Sequence, residues 1–159
     1  MTAASEHPLV TFAVIAYNQE KYIREAIEGA FAQTYQQLEI ILSDDCSPDR
    51  TFEIMQEMAK AYNGPHRVIL NRNNFNLRLA PHIDRVMELV GGELVVVNAG
   101  DDISAAVRVE KLVDVWLKSN RQTKLIHSSV RQIGISGDFI SIRRPPERSI
   151  NNPTAATII

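Results

Sequence analysis

Four short apolar runs, each followed by a stretch with apolar residues at helical spacing, constrain this chain more than any other feature. The runs cover residues 9–16, 38–43, 67–70 and 93–97. The stretch after the first places Tyr22, Ile23, Ala26, Ile27, Ala30 and Phe31 on one stripe of a helix starting near residue 20. After the second, Ser47-Pro48-Asp49 reads as a cap and first turn, followed by Phe52, Met55, Met58, Ala59 and Tyr62 on one face. Further helices are expected over 81–90, closed by Gly91-Gly92, and over 105–119, burying Val109, Leu112, Val113 and Trp116. Strands that alternate with helices predict an α/β fold, a mainly parallel sheet with helices on both faces. Residues 124–135 read as further strand, with a hairpin turn near 134–138. From 143 onward the run Arg-Arg-Pro-Pro-Glu-Arg predicts an irregular tail.

Composition excludes several classes. Net charge is −2 with basic residues scattered, so there is no footprint for nucleic acid. One cysteine, Cys46, excludes an intrachain disulfide framework and fits a reducing compartment. No apolar stretch approaches the roughly 18 residues of a membrane span, and residues 1–7 lack the pattern of a signal peptide. These features predict a cytoplasmic protein, with peripheral attachment to the inner face of the membrane left open.

Two of the apolar runs end in acidic doublets, Asp44-Asp45 and Asp101-Asp102. In open α/β sheets ligands bind beyond the carboxyl ends of the strands, so both doublets are site candidates. A carboxylate in the first position can accept hydrogen bonds from a base N–H or ribose hydroxyls; equally, it can cap the next helix. Asp49 reads better as a helix N-terminal residue. Adjacent carboxylates after an apolar run need a cation or solvent, and Mg²⁺ and Mn²⁺ prefer carboxylate oxygen. The competing reading is a helix start capped by Asp102 or Ser104. His66 and His82 border polar segments and read as exposed, His127 as structural.

In order along the chain stand Val14-Ile15-Ala16-Tyr17-Asn18, Gln33-Thr34-Tyr35, the block from Glu39 to Thr51 containing Asp44-Asp45-Cys46-Ser47-Pro48-Asp49, and Gly100-Asp101-Asp102. Together these resemble the inverting, family 2-like nucleotide-sugar glycosyltransferases with the GT-A fold, over roughly residues 8–120. The resemblance implies that Ala16, Tyr17 and Asn18 line the base and ribose. Asp44 and Asp45 would read a uracil-type base, and Asp101 and Asp102 would hold Mg²⁺ or Mn²⁺ and the sugar-nucleotide diphosphate. It further implies a UDP-type sugar donor and a role in cell-envelope or polysaccharide synthesis, on a glycan or lipid acceptor. Four positions depart from the family pattern: Ile15 for proline, Cys46 for glycine, Asn74-Phe75-Asn76 for Asn-x-Gly, and Ala99 for the first acid of Asp-x-Asp. Asn76 is expected to take the left-handed backbone of the missing glycine.

The domain reading is a disordered N-terminus over 1–7, an incomplete nucleotide-sugar-binding domain over 8–142, and 143–159 as a tail or the start of an acceptor-binding half. No general base is assigned, since Asp138 and Glu147 have no convincing context. The chain is read as cut before that half. Two other functions compete: a domain that binds sugar nucleotide without turning it over, and a Mg²⁺-dependent phosphoacceptor domain. The second normally has acids after its first strand, where this chain has Ala16-Tyr17-Asn18.

Overall fold

A computed structural model describes residues 7–134 and 136–144, together with the backbone of 155–158. The expected disorder of 1–6, most of the expected tail, and Glu147 and Arg148 lie outside the described residues. Two compact units emerge, residues 1–109 and 110–159.

The first unit is built on four parallel strands, β1 (Val10–Ala16), β2 (Leu38–Asp44), β3 (Arg67–Arg72) and β4 (Leu94–Ala99), in the order β3-β2-β1-β4. Three helices connect them: α1 (Ile23–Phe31), α2 (Thr51–Ala61) and α3 (Leu79–Met87). From β1 the chain steps outward to β2 and β3, then jumps back past β1 to β4. Right-handed crossovers therefore put α1 and α2 on one face and α3 on the other. Strand alternation agrees, because Ala13, Ile15 and Ile41 cluster with Val86, Ile83, Leu89 and Val90 from α3 and the residues just after it. Phe12, Val14, Ile40 and Leu42 point the opposite way and are fully buried. Burying each such side chain contributes about 1.5–3 kcal/mol.

Near β1 and β4 the strand order reverses, which makes this the switch point where an open α/β sheet leaves a crevice at its carboxyl edge. Register puts the ends level: Ala16 pairs with Asp44, Asp44 with Arg72, and Ile15 with Ala99.

Several boundaries differ from expectation. Helix α3 starts two residues early because Pro81 falls in its first turn, where a missing N–H costs nothing. Gly91 and Gly92 do not close it. They lie against the amino end of the sheet, where Gly91 N–H donates to buried Glu39 (2.7 Å) and Gly92 N–H to Thr11 Oγ1 (2.9 Å). A Cβ on Gly92 would sit 2.6 Å from the Thr11 nitrogen, so only glycine fits. His66 and His82, expected at the surface, are buried. His82 Nε2 lies 2.7 Å from Ser43 Oγ, and burial holds its pKa below the usual histidine range despite the opposing pull of Asp45 and Asp44. Polar neighbours in sequence misled the reading, since both imidazoles find polar partners inside the fold.

Helix α4 (Arg108–Lys118) leads into the second unit. Asn120 and Arg121, both left-handed, end it by returning the Arg121 N–H to the Trp116 carbonyl (3.0 Å). Strands β6 (Val130–Ile133) and β7 (Phe139–Arg143) form an antiparallel hairpin whose turn falls at the expected place. Strand β5 (Leu125–Ser128) pairs in parallel with β8 (Ala155–Ile158), so four residues of the expected irregular tail are strand.

Candidate functional site

The crevice begins where β1 ends. Asn18 takes a left-handed conformation (φ 57°), which asparagine tolerates better than most residues, and so turns the chain toward α1. Three successive amides of this turn are then bound by side chains of the turn after β2. Asn18 N–H donates to Ser47 Oγ (2.9 Å), Gln19 N–H to Thr51 Oγ1 (2.8 Å) and Glu20 N–H to Asp49 Oδ2 (3.0 Å). Arg50 N–H returns a bond to Glu20 (3.1 Å). Ser47, Asp49 and Thr51 thus sew two loops together beside exposed Tyr17, which is more than the helix start expected of Asp49. Asp49 also accepts the Thr51 N–H (3.0 Å). Burial raises its pKa, but the bonds from Thr51 and Glu20 outweigh it and leave it below 3.8. Its contribution to stability is therefore present above pH 3.8 and lost as pH falls through the lower folded-state value. Asp49→Asn is expected to flatten that acid limb in urea titrations.

Asp44 and Asp45 end β2, and both are buried. Asp44 accepts the Ser47 hydroxyl and, at 3.0 Å, its N–H, and faces Arg72 Nε at 3.3 Å. Asp45 accepts from Asn73 Nδ2 (2.7 Å), Leu77 N–H (2.9 Å) and Arg78 N–H (2.9 Å). It is the anchor of the loop after β3. That loop holds a surprise: Asn76 is not left-handed, and the strained residue is Arg78 (φ 68°, ψ 170°). Such a backbone is nearly restricted to glycine and costs about 1–3 kcal/mol, offset here by the Asp45 carboxylate.

Between the doublet and Ser47, Cys46 sits where the family pattern has glycine, and its φ is 61°. The turn keeps the glycine geometry with a side chain that strains it by about 1–2 kcal/mol. Cys46→Gly is expected to keep or raise the melting temperature. Cys46→Val, with a branched Cβ, is expected to cost about 1–2 kcal/mol in thermal denaturation.

On the other side of β1, Gly100 N–H donates to the Ile15 carbonyl (2.9 Å), so β4 hugs β1 to its end. A Cβ on Gly100 would lie 2.7 Å from that of Ala16, which explains the glycine. Asp101 and Asp102 then stand at the surface, Asp102 partly shielded from solvent by its neighbours. Burial first, and repulsion from Asp101 second, raise the Asp102 pKa above 3.8, against the pull of Arg108. Behind them Asn98, nearly buried, donates to the carbonyls of Ala99 (2.9 Å) and Asp102 (2.8 Å). Its own oxygen accepts from Ser104 Oγ and Arg108 Nη1, each at 2.9 Å. Ser104 therefore braces Asn98 rather than capping a helix.

Strand spacing puts the β2 and β4 ends about 10 Å apart, with Ala16, Tyr17 and Asn18 between them. The fold brings Ala16, Tyr17, Asn18, Asp44, Asp45, Asp101 and Asp102 to the carboxyl edge of one sheet. It adds Asn98 and Arg108, whose one sequence signal was proximity to the second doublet, and Arg72 and Arg78, for which the sequence carried none. Among the described residues no three His, Cys, Asp or Glu side chains gather into a cation cage. Two exposed carboxylates suit a hard ion of the Mg²⁺ or Mn²⁺ type, which is usually held by one or two protein carboxylates plus phosphate. No helix among the described residues is long and apolar enough to cross a membrane.

Residues 11–148 match the family described as Glycosyl transferase family 2. Among curated relatives, EpsE of Bacillus subtilis is 33% identical over 119 residues, covering 75% of this chain and 42% of EpsE. The UDP-Glc:alpha-D-GlcNAc-diphosphoundecaprenol beta-1,3-glucosyltransferase WfaP of Escherichia coli is 25% identical over 142 residues, 87% of this chain and 53% of WfaP. The chain thus spans about half, or less, of the relatives it matches. Residues 1–349 of Staphylococcus aureus TarS, in complex with UDP, superpose with a TM-score of 0.67 at 19% identity, over 90% of this chain and 39% of that one. The mannosyltransferase PcManGT of Pyrobaculum calidifontis, in complex with GDP-Man and Mn²⁺, gives a TM-score of 0.63 at 21% identity, over 79% of this chain and 36% of that one. At these identities the likeness shows the fold, the GT-A arrangement of a parallel sheet with helices.

Proposed function

Since the chain belongs to glycosyl transferase family 2, we propose that its first unit is the donor site of a glycosyltransferase that takes a nucleoside-diphosphate sugar. The observation that carries this reading is the pairing of an exposed acidic doublet at the end of β4 with Tyr17 and Asn18 at the end of β1, across the switch point. In this reading Ala16, Tyr17 and Asn18 receive the base and ribose. Asp44 and Asp45 act from beneath, by fixing the turns at 46–47 and 73–78 and holding negative charge under the base. Asp101 and Asp102 face the diphosphate and would hold a Mg²⁺ or Mn²⁺ ion between them and it. Such an ion supplies charge neutralisation for the departing nucleoside diphosphate.

UDP is the favoured nucleotide, in line with the UDP complex of TarS and the UDP-glucose named for WfaP. The acceptor is a hydroxyl of a glycan or lipid, which loses its proton and attacks the anomeric carbon of the donor with inversion, displacing the nucleoside diphosphate, in envelope or polysaccharide synthesis at the cytoplasmic side. No residue here is assigned as the base that deprotonates it. Asp138 lies exposed in the β6–β7 turn beside Ser136, and Glu147 lies outside the described residues. Residues 8–142 are therefore proposed to bind donor, with transfer depending on an acceptor-binding segment. The family assignment displaces the phosphoacceptor alternative.

Calorimetric titration of the folded chain with UDP, UDP-sugars and GDP, with and without Mn²⁺, tests the reading. Saturable, Mn²⁺-dependent binding is expected. Heat of dilution alone with every nucleotide would sink it.

A further inference from the structure

We infer that Arg108 is a positioning residue for the acidic doublet: through Asn98 and Ser104 it fixes the turn on which Asp101 and Asp102 stand. For its ligand this inference rests on the donor-site reading above. The chain of bonds is continuous and lies within residues 97–108. Arg108 Nη1 donates to Asn98 Oδ1 (2.9 Å) and to Ser104 Oγ (2.8 Å), while Nη2 reaches the Val97 carbonyl (3.3 Å). Asn98 Nδ2 then donates to the carbonyls of Ala99 and Asp102, the two ends of the turn that contains Gly100 and Asp101. The Asp102 N–H closes the same turn on the Ala99 carbonyl (3.1 Å).

Each link is held. Asn98 and Ser104 are 4% and 7% exposed, and the guanidinium lies over the ring of buried Phe12 at 5.9 Å, at the limit of the roughly 6 Å reach of such a contact. A planar fork offers donors on separated nitrogens, here Nη1 for Asn98 and Ser104 and Nη2 for Val97, a spread that the single nitrogen of a lysine does not reproduce.

The clasp matters because of what it restrains. Two neighbouring carboxylates repel each other, and Ala99 supplies no third acid to share a cation. A loop free to spread would have to be ordered again at each binding event, which lowers affinity. Arg108 and Asn98 order it beforehand. In the donor-site reading neither is assigned to the nucleotide or the cation, so their effect is expected in the cation-dependent part of binding.

Two variants test this. Arg108→Met removes the fork, and Asn98→Ala cuts the last link while leaving the arginine charge in place. Amide hydrogen exchange, read without any ligand, is expected to accelerate about tenfold or more across 99–104 in both, with β1 and β2 amides still protected. The Mn²⁺ concentration needed to support UDP binding is expected to rise about tenfold, within the 10–100-fold range seen when an outer partner of a metal ligand is lost. Arg108→Lys should recover only part of either effect. Unchanged exchange over 99–104 in both variants would overturn the clasp. So would accelerated exchange accompanied by an unaltered Mn²⁺ requirement. Absence of UDP binding by the unaltered chain would instead count against the donor reading, and the exchange data alone would then judge the clasp.

Discussion

Asp102→Asn is expected to weaken Mn²⁺-supported UDP binding by at least about 10–100-fold, the loss seen when only an outer partner of a metal ligand is removed. The substitution keeps the size of the side chain and the backbone bonds of the turn, so binding measured without Mn²⁺ should hardly change. In the absence of metal the variant should melt at the same temperature or higher. The reason lies in the site itself: burial and the Asp101 charge raise the Asp102 pKa, so its ionised form is disfavoured in the folded protein. A raised acid contributes stability at low pH that is lost as pH rises through the folded value. Cation binding has the opposite dependence, since it needs the carboxylate. Calorimetry across an acid series should therefore show Mn²⁺ affinity falling at a pH above that of an ordinary aspartate. Asp101→Asn, which removes the like charge, should move that fall to lower pH. Identical profiles for the unaltered chain and Asp101→Asn would contradict the assignment of these two carboxylates to one site.

Asp45→Ala is expected to act on stability instead. Its carboxylate accepts three bonds, from Asn73, Leu77 and Arg78, and it is almost fully buried. The Asn73 amide, abandoned in the interior, costs about 1–3 kcal/mol, and the half-buried Leu77 N–H loses its acceptor as well, while Arg78 N–H keeps a second one in Asn76 Oδ1 (2.9 Å). The strained Arg78 backbone would lose the charged one of its two acceptors. A loss of about 2–3 kcal/mol follows, against a total of about 5–15 kcal/mol for a typical domain. Urea denaturation would show it as a lower midpoint. Replacing Arg78 by glycine in the same background should recover part of the loss, because glycine adopts that backbone freely. A variant as stable as the parent would mean that the loop at 73–78 is held by something other than Asp45.

Much of the fold could be read along the chain because it depends on local pattern. Residues 9–16 and 38–43 are apolar on both faces because β1 and β2 are the central strands, covered by helices on either side. The hairpin turn near Gly137, with its positive φ of 85°, declared itself by glycine and serine. Boundaries were less legible. Pro81 reads as a helix start, but a proline is equally at home anywhere in a first turn. Gly91-Gly92 reads as a helix stop, yet its glycines answer to Thr11 and Glu39, far away in sequence. The two histidines fail for the same reason, since their polar partners come from other elements.

The candidate site divides along the same line. Residue types and their order placed Tyr17, Asn18 and both acidic doublets at strand ends, and the identity of neighbouring residues disclosed the family. Sequence also located two points where the family's glycine was missing: the turn at Cys46 kept its left-handed geometry, whereas in the loop at 74–78 the positive φ fell on Arg78 and not on Asn76. Only the tertiary structure decided which doublet faces solvent. Asp44 and Asp45 are drawn inward by Ser47, Arg72, Asn73 and the amides of 77 and 78, whereas Asp101 and Asp102 stand on a turn whose partners bind it from behind. A one-dimensional pattern cannot distinguish these outcomes, because two Asp-Asp pairs after apolar strands look alike until their hydrogen-bond partners, 28 to 33 residues away for Asp45 but only 4 for the carbonyl of Asp102, are brought beside them.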